Sequence, residues 1–140
     1  MSTQAQTNVV PEVIPCLLKR IYIDTAIMGQ TVAVHDTGYD VPDQHAVAPV
    51  CFRTDTAFSD NSTTISFGTD SASEPDNWLD DTATSGLTAD SVTECTYDGS
   101  ASTLDTNVTG SGKSLYYEIK TAALTAGSGW LYFYEFKLGE

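Results

Sequence analysis

Aspartates are the residues of this sequence that come closest to a ligand set. Asp36, Asp40 and Asp43 fall in one short stretch, and Asp76, Asp80 and Asp81 in another. A hard cation such as calcium takes about six to eight oxygen ligands from one or two loops. Neither cluster has the spacing of a helix–loop–helix calcium site, so both read as solvated loops. His35 and His45 flank the first cluster. Zinc needs about four ligands at close spacing, and Cys16, Cys51 and Cys95 are too far apart to supply a clamp. Cys51 beside a histidine would make a nucleophile–base pair, but no local motif supports it. Carboxylate pairs for glycoside hydrolysis carry no signal in a chain where acids abound. No glycine-rich phosphate cradle occurs. The sequence therefore gives no catalytic residue, no metal ligand and no cofactor. Asn61-Ser62-Thr63 and Asn107-Val108-Thr109 match the glycosylation sequon and read as polar loops.

The second candidate is aromatic. Trp130, Tyr132, Tyr134 and Phe136 share one face of a strand-like run that ends with Leu138, while Leu131 and Phe133 occupy the other. Such a stripe could stack on sugar rings. Its strand spacing on an apolar segment favours a core or a subunit interface instead. With both faces of residues 130–134 apolar, this strand is expected at the centre of a sheet or at an interface.

The elements that must position these residues read as strands. Pro49 to Gly68 is expected to form a hairpin. Val50, Phe52 and Thr54 would share a face, as would Ile65 and Phe67, and Ser59 to Ser62 would form the turn. Further strands are expected over 16–23, 30–35, 92–97, 115–120 and 130–138, with a loop from Asp36 to His45. Pro49 marks a strand start or an edge, since it cannot donate to a ladder. Ser73, Pro75 and Asp76 predict one short helical turn over 74–80 that anchors Trp78 and Leu79 in the core. About seven or eight short strands with almost no helix argue for an antiparallel β-sandwich, jelly-roll-like, with one short helical turn. Its core would hold Ile21, Ile23, Val32, Val34, Phe52, Ile65, Phe67, Leu115, Tyr117, Ile119 and one face of 130–138. Residues 1–13 read as an arm outside a single domain spanning 14–140.

Composition sets the remaining bounds. The 140 residues suit one domain. Hydrophobic residues at 41% exclude a disordered chain. Nineteen acids oppose six bases, a net charge of −13, and no Lys or Arg lies between Arg53 and Lys113 while eleven acids do. Such a surface repels phosphate backbones, so no nucleic-acid partner is expected. No stretch has the roughly 18 uncharged apolar residues of a membrane span, and the first residues lack the plan of a signal peptide. Synthesis in a cytoplasm and no membrane partner are expected. Three widely spaced cysteines make no disulfide framework.

Taken in order, DTGYDVP, VCFRTDTAFSD, ISFGTDSASEPDNWLDD and TAGSGWLYFYEF resemble the small β-sandwich virion proteins of tailed bacteriophages. In that class a T-A-F turn leads to an I-x-x-G-T strand end. A P-D-x-aromatic-L turn follows, and a T-A-G-x-G turn precedes the last strand. The resemblance spans about residues 30–138. It implies a non-enzymatic virion structural protein, either a capsid decoration (cement) protein or a fibre or tail component. On the first reading the chain binds the major capsid protein on the outer shell as a homo-oligomer, a dimer or trimer, assembled in the bacterial host cytoplasm. Its contact residues would be Val9, Val10 and Pro11 of the arm and Trp130, Tyr132 and Tyr134 of the last strand. On the alternative reading, Trp78, Trp130 or Tyr97 would be exposed to stack on host surface glycan.

Overall fold

The computed structural model describes residues 10–59, 62–70, 72–95, 105–107 and 112–138. Nine strands occur among them: β1 (Cys16–Asp24), β2 (Val34–Asp40), β3 (His45–Thr56), β4 (Thr64–Gly68), β5 (Leu79–Ala83), β6 (Val92–Glu94), β7 (Asp105–Asn107), β8 (Ser114–Ile119) and β9 (Ser128–Lys137). They form two antiparallel sheets. One runs β1-β9-β3-β6, with β7 also paired to β3, and the other runs β2-β8-β4-β5. Leaving β7 aside, successive strands alternate between two four-stranded sheets except for β4 and β5, which pair within the second sheet; this is the jelly-roll order, and the expected β-sandwich is the observed fold.

Jelly-roll topology corrects the expected hairpin. β3 and β4 do not pair. β3 lies between β9 and β6, β4 lies between β8 and β5, and the chain crosses between sheets after Phe58. The two runs pack face to face, with the Phe52 and Phe67 rings 5.3 Å apart. A bulge between Pro49 and Cys51 also breaks the expected alternation. Val47 and Phe52 are both buried, while Val50 turns outward with Cys51 and Arg53. Pro49 sits inside β3 and not at its start. It lies where the β7 pairing ends and the β6 pairing has yet to begin, so its missing N–H costs no ladder bond on that side.

Two further boundaries move. The second strand runs over 34–40, through the stretch expected as loop, and Val32 is exposed rather than core. No helix forms over 74–80. Donors there take partners distant in sequence: Asp76 N–H reaches Asp70 Oδ1 (3.2 Å), and Trp78 N–H reaches the Phe67 carbonyl (3.0 Å). Gly68 leaves room for the Asn77 amide, whose oxygen accepts from Thr69 N–H at 2.9 Å. The helical turns lie elsewhere. One is a four-residue helix α1 (Thr25–Met28) capped by Asp24, and the other is a 3-10 turn at Thr84–Gly86.

The core between the sheets contains most of the expected residues. Ile23, Phe52, Ile65, Phe67, Leu115, Tyr117, Ile119, Leu131 and Phe133 are fully buried, Ile21 packs against them, and Val34 is half-buried. Trp78 and Leu79 are anchored there as expected.

Candidate functional site

β9 runs down the middle of the first sheet, between β1 and β3. Leu131, Phe133 and Glu135 point into the sandwich, so Trp130, Tyr132, Tyr134 and Phe136 stand on the outer face. The aromatic stripe is therefore not core. Tyr134 is 43% exposed, and the other three are half-buried by their neighbours. Register places Tyr22 and Arg53 beside Trp130, Arg20 and Cys51 beside Tyr132, and Leu18 and Ala48 beside Tyr134. Arg20 lays its guanidinium over the Trp130 ring, 3.9 Å from the centroid, and Tyr22 packs on it at 4.8 Å. This cation–π contact occupies one Trp130 face.

Beyond that cap, the outer face opens into a groove of about 320 Å³. Leu18 of β1, Tyr132 and Tyr134 of β9, Val50 and Arg53 of β3 and Val92 of β6 line it, with Cys51 among them. Among the described residues, Arg53 is its one charged lining residue and is tied to Asp90 at 2.8 Å. Its described lining thus has apolar walls, two tyrosine hydroxyls and no acid. It can seat an apolar or aromatic group. Among its described lining residues, Cys51 has no histidine or acid beside it in the groove.

Of the residues expected to make contacts, Trp130, Tyr132 and Tyr134 are brought together on this face. Val10 and Pro11 lie on an exposed segment preceding β1, and Val9 falls outside the described residues. Trp78 is fully buried and cannot stack on a glycan, and Tyr97 lies outside the described residues. Sequence reading missed Leu18, Val50 and Val92 as groove walls.

Candidate chemistry elsewhere is taken up by local structure. Asp36 Oδ1 accepts from Gly38 N–H, and Asp40 Oδ1 accepts from the Ser114 hydroxyl. Asp81 pairs with Lys120 at 2.6 Å. Among the described residues, no three His, Cys, Asp or Glu side chains are grouped to hold a metal. His45 and Cys51 are six residues apart along one strand, about 20 Å, and His35 stacks on Tyr117 in the other sheet. No thiol–imidazole pair forms between them. Burial pushes the Cys51 thiol up and the Cys95 thiol to about 12, the reverse of an activated nucleophile.

Glu135 is the one acid buried in the described core, at 4% exposure. Lys19 Nζ donates to its Oε1 at 2.8 Å, and the Tyr39 hydroxyl donates to its Oε2. Burial pushes this carboxyl up, but the Lys19 and Tyr39 hydrogen bonds and the Lys19 charge outweigh it and hold it below the ordinary range. Burial, with Glu135 beside it, drives the Tyr39 phenol well up. This cluster ties edge strand β1 to the centre of its sheet.

Fold and surface together define a jelly-roll β-sandwich with an aromatic, grooved outer face. The chain matches no family model and no curated protein. Among solved structures it is similar to a chain of the cyanophage Pam1 capsid asymmetric unit, with a TM-score of 0.63 and 14% identity. The likeness covers 99% of this chain and 98% of that one. At this identity it is a likeness of fold.

Proposed function

We propose that this protein is a non-enzymatic structural component of a bacteriophage virion, a capsid decoration (cement) protein. It binds the major capsid protein on the outer shell and stabilises the particle. One observation carries this reading: the likeness to a chain of the Pam1 capsid asymmetric unit runs end to end in both chains. The likeness takes in 98% of that chain, not one part of it. A net charge of −13 supports a place on a particle whose cargo is DNA, because such a surface is not drawn to phosphate. In this reading the arm, residues 1–13, lies outside one domain of residues 14–140. Val9, Val10 and Pro11 of the arm and Trp130, Tyr132 and Tyr134 of β9 make the contacts, in a dimer or trimer assembled in the host cytoplasm.

The test is co-sedimentation of the recombinant chain with purified capsids that lack it. Saturable, stoichiometric binding is expected, and a variant without residues 2–13 is expected to stay folded and fail to bind. Unaltered binding by that variant would remove the arm from the reading. No binding by the full chain would move the assignment to a fibre or tail component that recognises host glycan. The exposed Tyr134 ring and the groove beside it favour that second reading.

A further inference from the structure

The described residues include ten large hydrophobic side chains that are exposed, and six of them line the groove or lie on the segment that leads into β1. Val10 (80%), Val13 (99%) and Ile14 lie on the segment before β1. Leu18 of β1, Tyr134 and Val92 line the groove of the first sheet, whereas Leu17 points to the other face of β1, beside Glu135. Leaving so much apolar surface in water is unfavourable, and such concentrations mark interaction surfaces. At 99% exposure, Val13 packs on nothing in its own chain.

We propose that residues 10–14 of one copy of this chain fill the outer groove of a second copy. Length fits first. The groove crosses four adjacent strands, from Leu18 on β1 through β9 and β3 to Val92 on β6. Three inter-strand steps of about 4.8 Å make roughly 14 Å. Five extended residues at about 3.3 Å each make roughly 16 Å.

Conformation fits next. Pro11 and Pro15 hold their own φ near the extended value and bias Val10 and Ile14, the residues before them, away from helix. A segment already extended loses little entropy when it docks, and aromatic-lined grooves commonly take extended proline-containing segments. Charge fits third. Glu12 is the only charged side chain in residues 1–18. Among the described residues, the groove's one charged lining residue is Arg53, and Arg20 stands at its margin over Trp130. Two copies of a chain with net charge −13 repel across most surfaces. The arm and this groove are among the few patches where they need not.

Docking onto the same copy is disfavoured by where the arm starts. β1 begins at Cys16, opposite Phe136, and Leu18 of the groove is only two residues on. An arm would have to reverse at once over its own edge strand. This inference rests only on the oligomer clause of the proposed function, and its test needs no capsid.

That test is sedimentation equilibrium on the full-length chain and two variants. Val13→Asp/Ile14→Asp spoils the arm, and Val92→Arg spoils the groove. Both alter exposed positions, so circular dichroism is expected to match the parent. The parent is expected to sediment as a multiple of the single-chain mass and each variant as one chain. An equimolar mixture of the variants is expected to regain the two-chain mass, because the intact arm of one fills the intact groove of the other. A single-chain mass for the parent up to high micromolar concentration would overturn the proposal. So would a parent assembly that survives both variants, or a mixture that stays at single-chain mass. If the parent is a single chain yet binds capsids, arm exchange falls and the decoration reading stands.

Discussion

Glu135 decides how edge strand β1 is held. Its carboxylate accepts from Lys19 and Tyr39 within a core otherwise free of charge among the described residues. Its folded pKa lies below the ordinary glutamate value, about 4.3. The stabilisation is therefore complete above that unfolded value and is lost as pH falls through the folded one. Glu135→Gln keeps the volume and an acceptor for Tyr39 but removes the ionic partner of Lys19. Because Lys19 stays 41% exposed and hydrated, the expected cost is modest, about 1–2 kcal/mol at neutral pH. Urea unfolding at pH 7 and pH 3 checks it. The difference between parent and variant should shrink in acid, and a constant difference would count against the ionic role. Period-two patterning did place Glu135 on the Leu131–Phe133 face. It could not tell that this face was the inner one, because Lys19 and Tyr39 are brought to it only by strands far away in sequence.

At the scale of elements, the T-A-G-x-G turn before β9 has a steric reason. A Cβ at Gly129, which pairs with Thr54 of β3, would lie 2.4 Å from the Arg53 carbonyl oxygen and 2.6 Å from the Phe52 ring. Gly127 has φ +146°, and a Cβ there would meet the Phe58 ring. Gly129→Ala is expected to cost about 2–3 kcal/mol, since a backbone oxygen cannot yield as a side chain can. Gly86→Ala, with nothing within 4 Å, is the neutral control. Melting temperatures check both, with a loss of roughly 4–10 °C expected for the first. Strand existence was legible here and strand partnership was not. Alternation in 50–56 and 63–67 is the same whether two strands pair edge to edge or face each other across a core. Only the jelly-roll crossing distinguishes the two cases. The expected helical turn failed for a related reason: local cap residues were outcompeted by the Phe67 carbonyl and the Asn77 amide. The groove was invisible because a bulge at Pro49–Cys51, not a pattern, turns Val50 outward.

On the scale of the whole molecule, fold class followed from composition and period, since many short alternating runs with few helix formers have few ways to bury one face each. The outer face did not follow. An aromatic stripe looks the same in sequence whether it is buried or displayed, and only the inward turn of Leu131 and Phe133 decides it. The topology also fixes where the chain can be extended. β1 and β9 pair along their full length in opposite directions, Cys16 beside Phe136 and Asp24 beside Ser128. Hence β1 begins where β9 ends, at one end of the sandwich. At the other end, residues 87–91 are bonded to Thr54 of β3 and to Phe58, and Thr84 of the preceding turn is bonded to the Thr63 carbonyl. Cargo fused after β9 would emerge beside the arm and compete with it for space. Cargo inserted at the exposed Ser85 would leave from the opposite pole. With the arm docked as proposed, a carrier of displayed peptides built on this fold has one pole engaged by the arm and one free of it. A peptide inserted at Ser85 should leave the number of protomers in the sedimenting assembly unchanged, whereas the same peptide fused at the C-terminus should reduce it.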